Sequence, residues 1–207
     1  MNTDITEWVA SNGFGERQQS EPVTLLLHGY GSHEHDLPPI LEWLGLSTPW
    51  VSPRAPIALP SGGFAWAPIT IPGNPDPDDT AVATDGLWRW LDANIPAAPI
   101  VAIGFSQGGL MVSQLLRTRP DRIAKAVMLA GFVAGTPQPA DTELVSTKPT
   151  VFWSHGTDDT VIVPAAVERT SEFLHTHTTV IDKSYSGLGH SIDERVLDDL
   201  REYLASA

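Results

Sequence analysis

Pro99-Ile100-Val101-Ala102-Ile103-Gly104-Phe105-Ser106-Gln107-Gly108-Gly109 passes from an unbroken apolar run into a serine set between glycines. A stretch with helical spacing, Gly109 to Arg119, follows at once. A strand that turns sharply into a helix needs residues without Cβ atoms at the corner, and a serine at the tip is then held exposed at the strand's end. Ser106 is therefore the candidate nucleophile, poised for attack on a carbonyl carbon.

Val23-Thr24-Leu25-Leu26-Leu27 is a second continuous apolar run, and it ends in His28-Gly29-Tyr30-Gly31. Similar runs recur over Ala126–Ala130, Thr150–Trp153 and Thr179–Ile181, with a weaker one over Pro49–Ser52. Between them, helical apolar spacing covers Leu37–Leu46, Thr80–Ala93, Gly109–Arg119, Pro164–His175 and Ser191–Ala205. Ser191, with Glu194 three residues on, has the form of a reciprocal cap for the last helix. Strands buried on both faces and alternating with helices predict an α/β fold with a mainly parallel central sheet, helices lying on both of its faces. With 207 residues and no internal linker or repeat, residues 1–207 read as one domain, 1–20 being a polar extension or helix.

The net charge of −13, with only 12 Lys and Arg residues, argues against a nucleic-acid partner, which needs clustered cations to meet phosphates. Anionic membrane surfaces are disfavoured for the same reason. No stretch approaches the roughly 20 apolar residues that cross a bilayer, and Met1 to Ser20 lack the basic start and apolar core of a signal peptide. Cysteine is absent, which excludes disulfides, thiolate catalysis and cysteine metal sites together. The expectation is a cytoplasmic protein, monomer or homodimer, acting on a small molecule without membrane insertion.

Pro53 to Pro77 is crowded with Pro, Gly and aromatic residues and holds neither periodicity, so it reads as a long surface loop. Phe64, Trp66, Ile69 and Ile71 could form an apolar substrate-binding wall there; the alternative for Trp66 is a pin that ties the loop to the core. The acidic run Asp76 to Asp79 reads as a helix approach, since carboxylates suit a helix N-terminus without any ion.

An activated serine needs a base, a group that orients the base, and donors for the oxyanion. His190 in Tyr185-Ser186-Gly187-Leu188-Gly189-His190 lies on a glycine-rich loop between the final strand and final helix, and is the candidate base. The acid is expected after an intermediate strand, where His155-Gly156-Thr157-Asp158-Asp159 offers two adjacent carboxylates that spacing does not separate. His155 precedes the acid, so the order Ser, Asp, His favours His190. The oxyanion donors are expected to be the backbone N–H groups of Gln107 and Tyr30, their side chains mattering less. His28 is expected to hold that glycine loop by hydrogen bonding. His33-Glu34-His35-Asp36 and His175-Thr176-His177 resemble metal clusters, but the first lacks zinc-motif spacing and the second suits a solvated helix end. No metal is expected.

With those residues assembled, the chain resembles the bacterial phospholipase/carboxylesterase family, relatives of the acyl-protein thioesterases within the α/β-hydrolases, from about Pro22 to the C-terminus. The resemblance is carried by Leu27-His28-Gly29-Tyr30-Gly31, by Pro53-Arg54-Ala55-Pro56 with Gly63 and Trp66 beyond, by Gly104-Phe105-Ser106-Gln107-Gly108-Gly109, by His155-Gly156-Thr157-Asp158-Asp159 and by Gly189-His190. It implies that Asp159, four residues after the His of the His-Gly block, is the acid. Val161-Ile162-Val163-Pro164 departs from the family pattern by an offset of one at the proline. The family further implies no cofactor, little or no lid, and hydrolysis of esters or thioesters. The chain is thus expected to be a single-domain α/β-hydrolase that cleaves carboxylic esters of short to medium acyl chains through Ser106, His190 and Asp159. The alternatives are a thioesterase or lysophospholipase, or a non-enzymatic binding protein that keeps the fold.

Overall fold

Leu25 and Leu27 join one hydrophobic cluster and Leu26, between them, joins another, all three fully buried. The same split recurs at Ala126 and Met128 against Val127 and Leu129, and at Val151 and Trp153 against Phe152. Side chains alternate across a strand, so apolar residues at every position demand a cover on each side. The computed structural model, which describes residues 3–69, 71 and 73–205, has that architecture.

The strands are β1 (Trp8–Ala10), β2 (Val23–Leu27), β3 (Trp50–Pro53), β4 (Ile57–Ala58), β5 (Phe64–Ala65), β6 (Ile100–Phe105), β7 (Ile123–Leu129), β8 (Thr150–Gly156) and β9 (Thr179–Tyr185). The helices are α1 (Ile40–Leu44), α2 (Pro77–Asn94), α3 (Gln107–Thr118), α4 (Asp141–Thr147), α5 (Pro164–His177) and α6 (Glu194–Ala205). Seven strands form one sheet in the order β1-β3-β2-β6-β7-β8-β9, parallel throughout except for β1 against β3. Residues of α2, α3, α4 and α5 fill the cluster on one face, and residues of α1 and α6 fill the cluster on the other. The expected mainly parallel sheet with helices on both faces is the observed one. Among the described residues, no helix is long and apolar enough to cross a membrane.

Strand order reverses between β2 and β6: the chain proceeds from β2 to β3 on one side and from β6 to β9 on the other. Loops leaving the carboxyl ends of such a pair diverge and open a crevice, the usual ligand site of an open parallel sheet. Here those loops begin at His28 and Ser106.

Several local expectations are corrected. Residues 8–10 form an antiparallel edge strand and Phe14–Glu16 a single 3₁₀ turn, where the N-terminus was expected to be an extension or helix. The first helix is shorter than Leu37–Leu46, because Gly45 adopts φ 64° and its N–H closes onto the Glu42 and Leu41 carbonyls. Helix α4 was not foreseen, since Leu144 is its only buried residue and leaves no periodic signal. The last helix is capped by Asp193, not by Ser191: Asp193 Oδ1 accepts the Val196 N–H at 3.2 Å and its carbonyl accepts the Leu197 N–H at 3.1 Å. The expected acidic approach to α2 is seen in Asp76, whose Oδ1 accepts the N–H groups of Asp78 and Asp79 ahead of a Pro77 start.

Candidate active site

Ser106 stands alone between the end of β6 and the start of α3, with φ 54° and ψ −114°. A serine in that region stores about 1–3 kcal/mol of strain and persists only where its surroundings over-determine it. They do so here. The Ser106 N–H donates to the Leu129 carbonyl at 2.8 Å. A Cβ on Gly104 would lie 2.2 Å from the Gly108 carbonyl oxygen, one on Gly108 would lie 1.8 Å from that of Leu27, and one on Gly109 would lie 2.7 Å from Gly131 Cα. The glycines are thus demanded by the packing of α3 onto β2, β6 and the chain after β7.

His190 Nε2 lies 2.8 Å from Ser106 Oγ, and His190 Nδ1 lies 2.7 Å from Asp159 Oδ2. These groups come from three separate loops, at the ends of β6, β8 and β9. Asp159 Oδ1 accepts the N–H groups of Val161 and Ile162 at 2.8 and 3.0 Å, which fixes the carboxylate in the loop that follows β8. The loop itself is held against the His190 loop, the Thr157 N–H donating to the Tyr185 carbonyl and the Asp158 N–H to that of Leu188. Asp158 is exposed, and among the described residues its carboxylate accepts only the neighbouring Thr157 hydroxyl. Two adjacent carboxylates that spacing could not separate are therefore separated by the turn, with Asp159 at the imidazole. The His190 ring also packs on Phe105, ring centres 5.0 Å apart.

On the opposite side lies the loop after β2. His28 is fully buried, and its Nε2 accepts the Ala55 N–H at 3.1 Å. Nδ1 then carries the proton and donates to the Gly29 carbonyl at 2.8 Å. Burial pushes the His28 imidazole below its ordinary pKa, in keeping with a neutral ring that braces the loop. The Trp66 indole N–H donates to the His28 carbonyl at 2.9 Å. The Gln107 side chain, expected to matter little, is buried and doubly bonded: Oε1 accepts the Trp66 N–H at 2.9 Å and Nε2 donates to the Ala67 carbonyl at 2.7 Å. Gly31 and Ser32 pair with Phe64 across a further bridge. Among the described residues, neither the Tyr30 nor the Gln107 backbone N–H donates to a protein acceptor.

A cavity of about 490 Å³ opens on Ser106 and His190, bordered by Tyr30, Ile69, Phe132 and Ile162. Trp66 and Phe64 do not line it, which corrects the expected substrate wall. Trp66 is 1% exposed and turned onto His28, and Phe64 lies half-buried beneath the Arg54 guanidinium, 4.6 Å from its ring centre. Of the apolar residues expected there, Ile69 lines the cavity; Ile71 is exposed and does not. Sequence reasoning missed Phe132 and Ile162. Their signal was position, since Phe132 lies three residues beyond the carboxyl end of β7 and Ile162 three residues beyond Asp159.

The histidine clusters have other partners. Arg54 holds the buried Glu34 through two bonds, Nε to Oε2 at 2.6 Å and Nη2 to Oε1 at 2.5 Å, and this brings the Glu34 carboxyl down to about 2. His175 and His177 donate from Nδ1 to the carbonyls one turn back, at Ser171 and Phe173. His155 stacks on Trp153 and meets Asp182 at 3.2 Å, away from Ser106. No group of three metal-ligating side chains occurs among the described residues.

Comparison with known proteins agrees with this fold. The model of the phospholipase/carboxylesterase family matches residues 14–207. Acyl-protein thioesterase 1 of Cryptococcus neoformans is 28% identical over 89% of this chain and 92% of its own length. Esterase YpfH of Escherichia coli is 29% identical over 88% and 83%. The solved carboxylesterase of Bacillus cereus superposes with a TM-score of 0.78 over 95% of this chain and 92% of that one, at 24% identity.

Proposed function

Because this chain belongs to the phospholipase/carboxylesterase family and is a hydrolase, we propose that it cleaves carboxylic esters of short to medium acyl chains with Ser106, His190 and Asp159. The observation that carries this reading is the unbroken chain of contacts from Asp159 Oδ2 to His190 Nδ1 at 2.7 Å and from His190 Nε2 to Ser106 Oγ at 2.8 Å. A carboxylate can only accept, so Nδ1 carries a proton and Nε2 is free to take the one on Ser106.

Ser106 Oγ attacks the ester carbonyl carbon while its proton passes to His190 Nε2. The carbonyl π electrons move onto oxygen, and the oxyanion meets the N–H groups of Gln107 and Tyr30. Collapse expels the alcohol oxygen, which takes the proton back from Nε2 and leaves Ser106 acylated. Water then repeats the sequence: His190 takes its proton, the hydroxide attacks, and the carboxylic acid leaves as Ser106 recovers its hydrogen. Asp159 holds the ring and stabilises the imidazolium in both halves.

A thioester is the second reading, supported by the relatives named acyl-protein thioesterase. The same nucleophile and oxyanion donors serve a sulfur leaving group. Matched p-nitrophenyl esters and acyl thioesters of equal chain length test the choice: higher kcat/KM on the esters supports the first reading, and higher values on the thioesters support the second.

A further inference from the structure

We propose that the Gln107 side chain, acting through Trp66, is a positioning clamp that sets the separation of the two oxyanion amides. The proposal rests on the reading of Ser106 as nucleophile and adds a role for a side chain that touches no substrate.

Gln107 supplies one oxyanion amide from its backbone, and its carboxamide bonds the Trp66–Ala67 segment, which is itself tied to the loop that carries the other. Oε1 accepts from Trp66 N and Nε2 donates to Ala67 O, a two-point contact that fixes both position and orientation. Trp66 passes the constraint on, since its indole N–H holds the His28 carbonyl at 2.9 Å. His28 in turn bonds the Gly29 carbonyl beside Tyr30 and the Ala55 N–H behind it. Gly29 lets this loop lie close against the nucleophile's strand end, since a Cβ there would lie 3.1 Å from the Phe105 ring and 3.5 Å from Ser106 Cβ. The chain of contacts runs from Gln107 through Trp66 and His28 to Gly29, all of them buried, and Tyr30 is the next residue along the backbone. Oxyanion donors act by preorganisation, so a fraction of an ångström in their separation is felt in the transition state and little in the bound ester.

Gln107→Met keeps the length and volume of the side chain and removes both bonds. It is expected to lower kcat on p-nitrophenyl butyrate by about tenfold to a hundredfold, with KM within about twofold and circular dichroism unchanged. Affinity for butylboronic acid, whose tetrahedral adduct with serine mimics the oxyanion, is expected to fall by the same factor. Gln107→Glu supplies a second readout should the Met variant fail to fold. Protonated, it accepts from Trp66 N and donates to Ala67 O; ionised, it faces that carbonyl with a charge. The ratio of its kcat to wild-type kcat is expected to rise as pH falls from 8 to 5. A carboxylate acting only on His190 would raise the imidazole pKa and move the ratio the other way.

Wild-type kcat in Gln107→Met, or lost kcat with undiminished boronate affinity, overturns the clamp, as does a flat or falling ratio for Gln107→Glu. Ser106→Ala, run alongside, separates the two claims. If it is inactive while Gln107→Met is fully active, the clamp alone fails; if it turns over normally, the reading beneath it fails.

Discussion

Asp159 divides its carboxylate between two tasks, with Oδ2 at 2.7 Å from His190 Nδ1 and Oδ1 on the N–H groups of Val161 and Ile162. In Asp159→Asn the two backbone N–H groups keep the amide oxygen, so the NH₂ faces His190. The imidazole then adopts the opposite tautomer and presents an N–H to Ser106. Turnover is expected to fall on the order of 10⁴-fold with KM little changed. Asp158→Asn, beside it, is expected to stay within about threefold of wild type in the same p-nitrophenyl ester assay.

Gly108 and Gly31 are both glycines beside the site, and they are expected to respond differently to alanine. The Gly108 methyl would meet the Leu27 backbone at 1.8 Å, whereas Gly31, at φ +80°, has nothing within 4 Å. Gly108→Ala should yield no stable fold, or lose more than about 4 kcal/mol. Gly31→Ala should lose only the left-handed penalty of about 1–2 kcal/mol. Urea denaturation midpoints measure both.

Acid sensitivity should come in two stages. Burial depresses the His28 pKa from its ordinary 6.5, so the unfolded chain takes up a proton that the native state resists, and stability declines as pH drops below 6.5. Arg54 depresses the Glu34 carboxyl from 4.5 to about 2, so its contribution of about 1–3 kcal/mol is complete above 4.5 and is lost as pH falls towards 2. Thermal melts from pH 8 to 3 should therefore steepen below 4.5, and Glu34→Gln should make that second stage shallower, the remainder coming from carboxylates such as Asp92, held down by Arg119, and Asp141, despite its burial held down by Arg117. A wild-type slope in that variant below 4.5 would falsify the assignment.

Acyl-length preference should follow the observed cavity wall, to which Ile69 of the expected loop contributes and Phe64 and Trp66 do not. Ile69 is half-buried against the cavity and Val161 stands 43% exposed on its border. Ile69→Ala should raise kcat/KM for longer acyl chains relative to butyrate by up to about fourfold per added methylene that finds room. Val161→Trp should do the reverse. A p-nitrophenyl ester series from acetate to laurate reads both, and parallel shifts across all lengths would remove these residues from the wall.

The sheet was legible because apolar runs at Val23–Leu27 and Pro99–Ile103 can only belong to strands covered on both faces. Ser106 and His190 were legible because a sharp corner and a loop over the sheet edge each require local glycines. The choice between Asp158 and Asp159 was not legible from spacing, because it depends on a turn pinned by Tyr185 and Leu188, about thirty residues away. Trp66 escaped for a similar reason: without periodicity, nothing in residues 53–77 distinguishes a pocket wall from a pin, and its partners lie at His28 and Gln107. Strand β1, three residues long, is too short for alternation to show.

Ser106 Oγ, deprotonated by His190, is the proposed nucleophile. Its most direct test is intact-protein and peptide mass spectrometry after reaction with a fluorophosphonate, in wild type, Ser106→Ala and His190→Ala. One phosphonyl group is expected on Ser106 in wild type, none in Ser106→Ala, and labelling slowed by at least about a hundredfold in His190→Ala. Labelling at another residue, or undiminished ester turnover in Ser106→Ala, would contradict it.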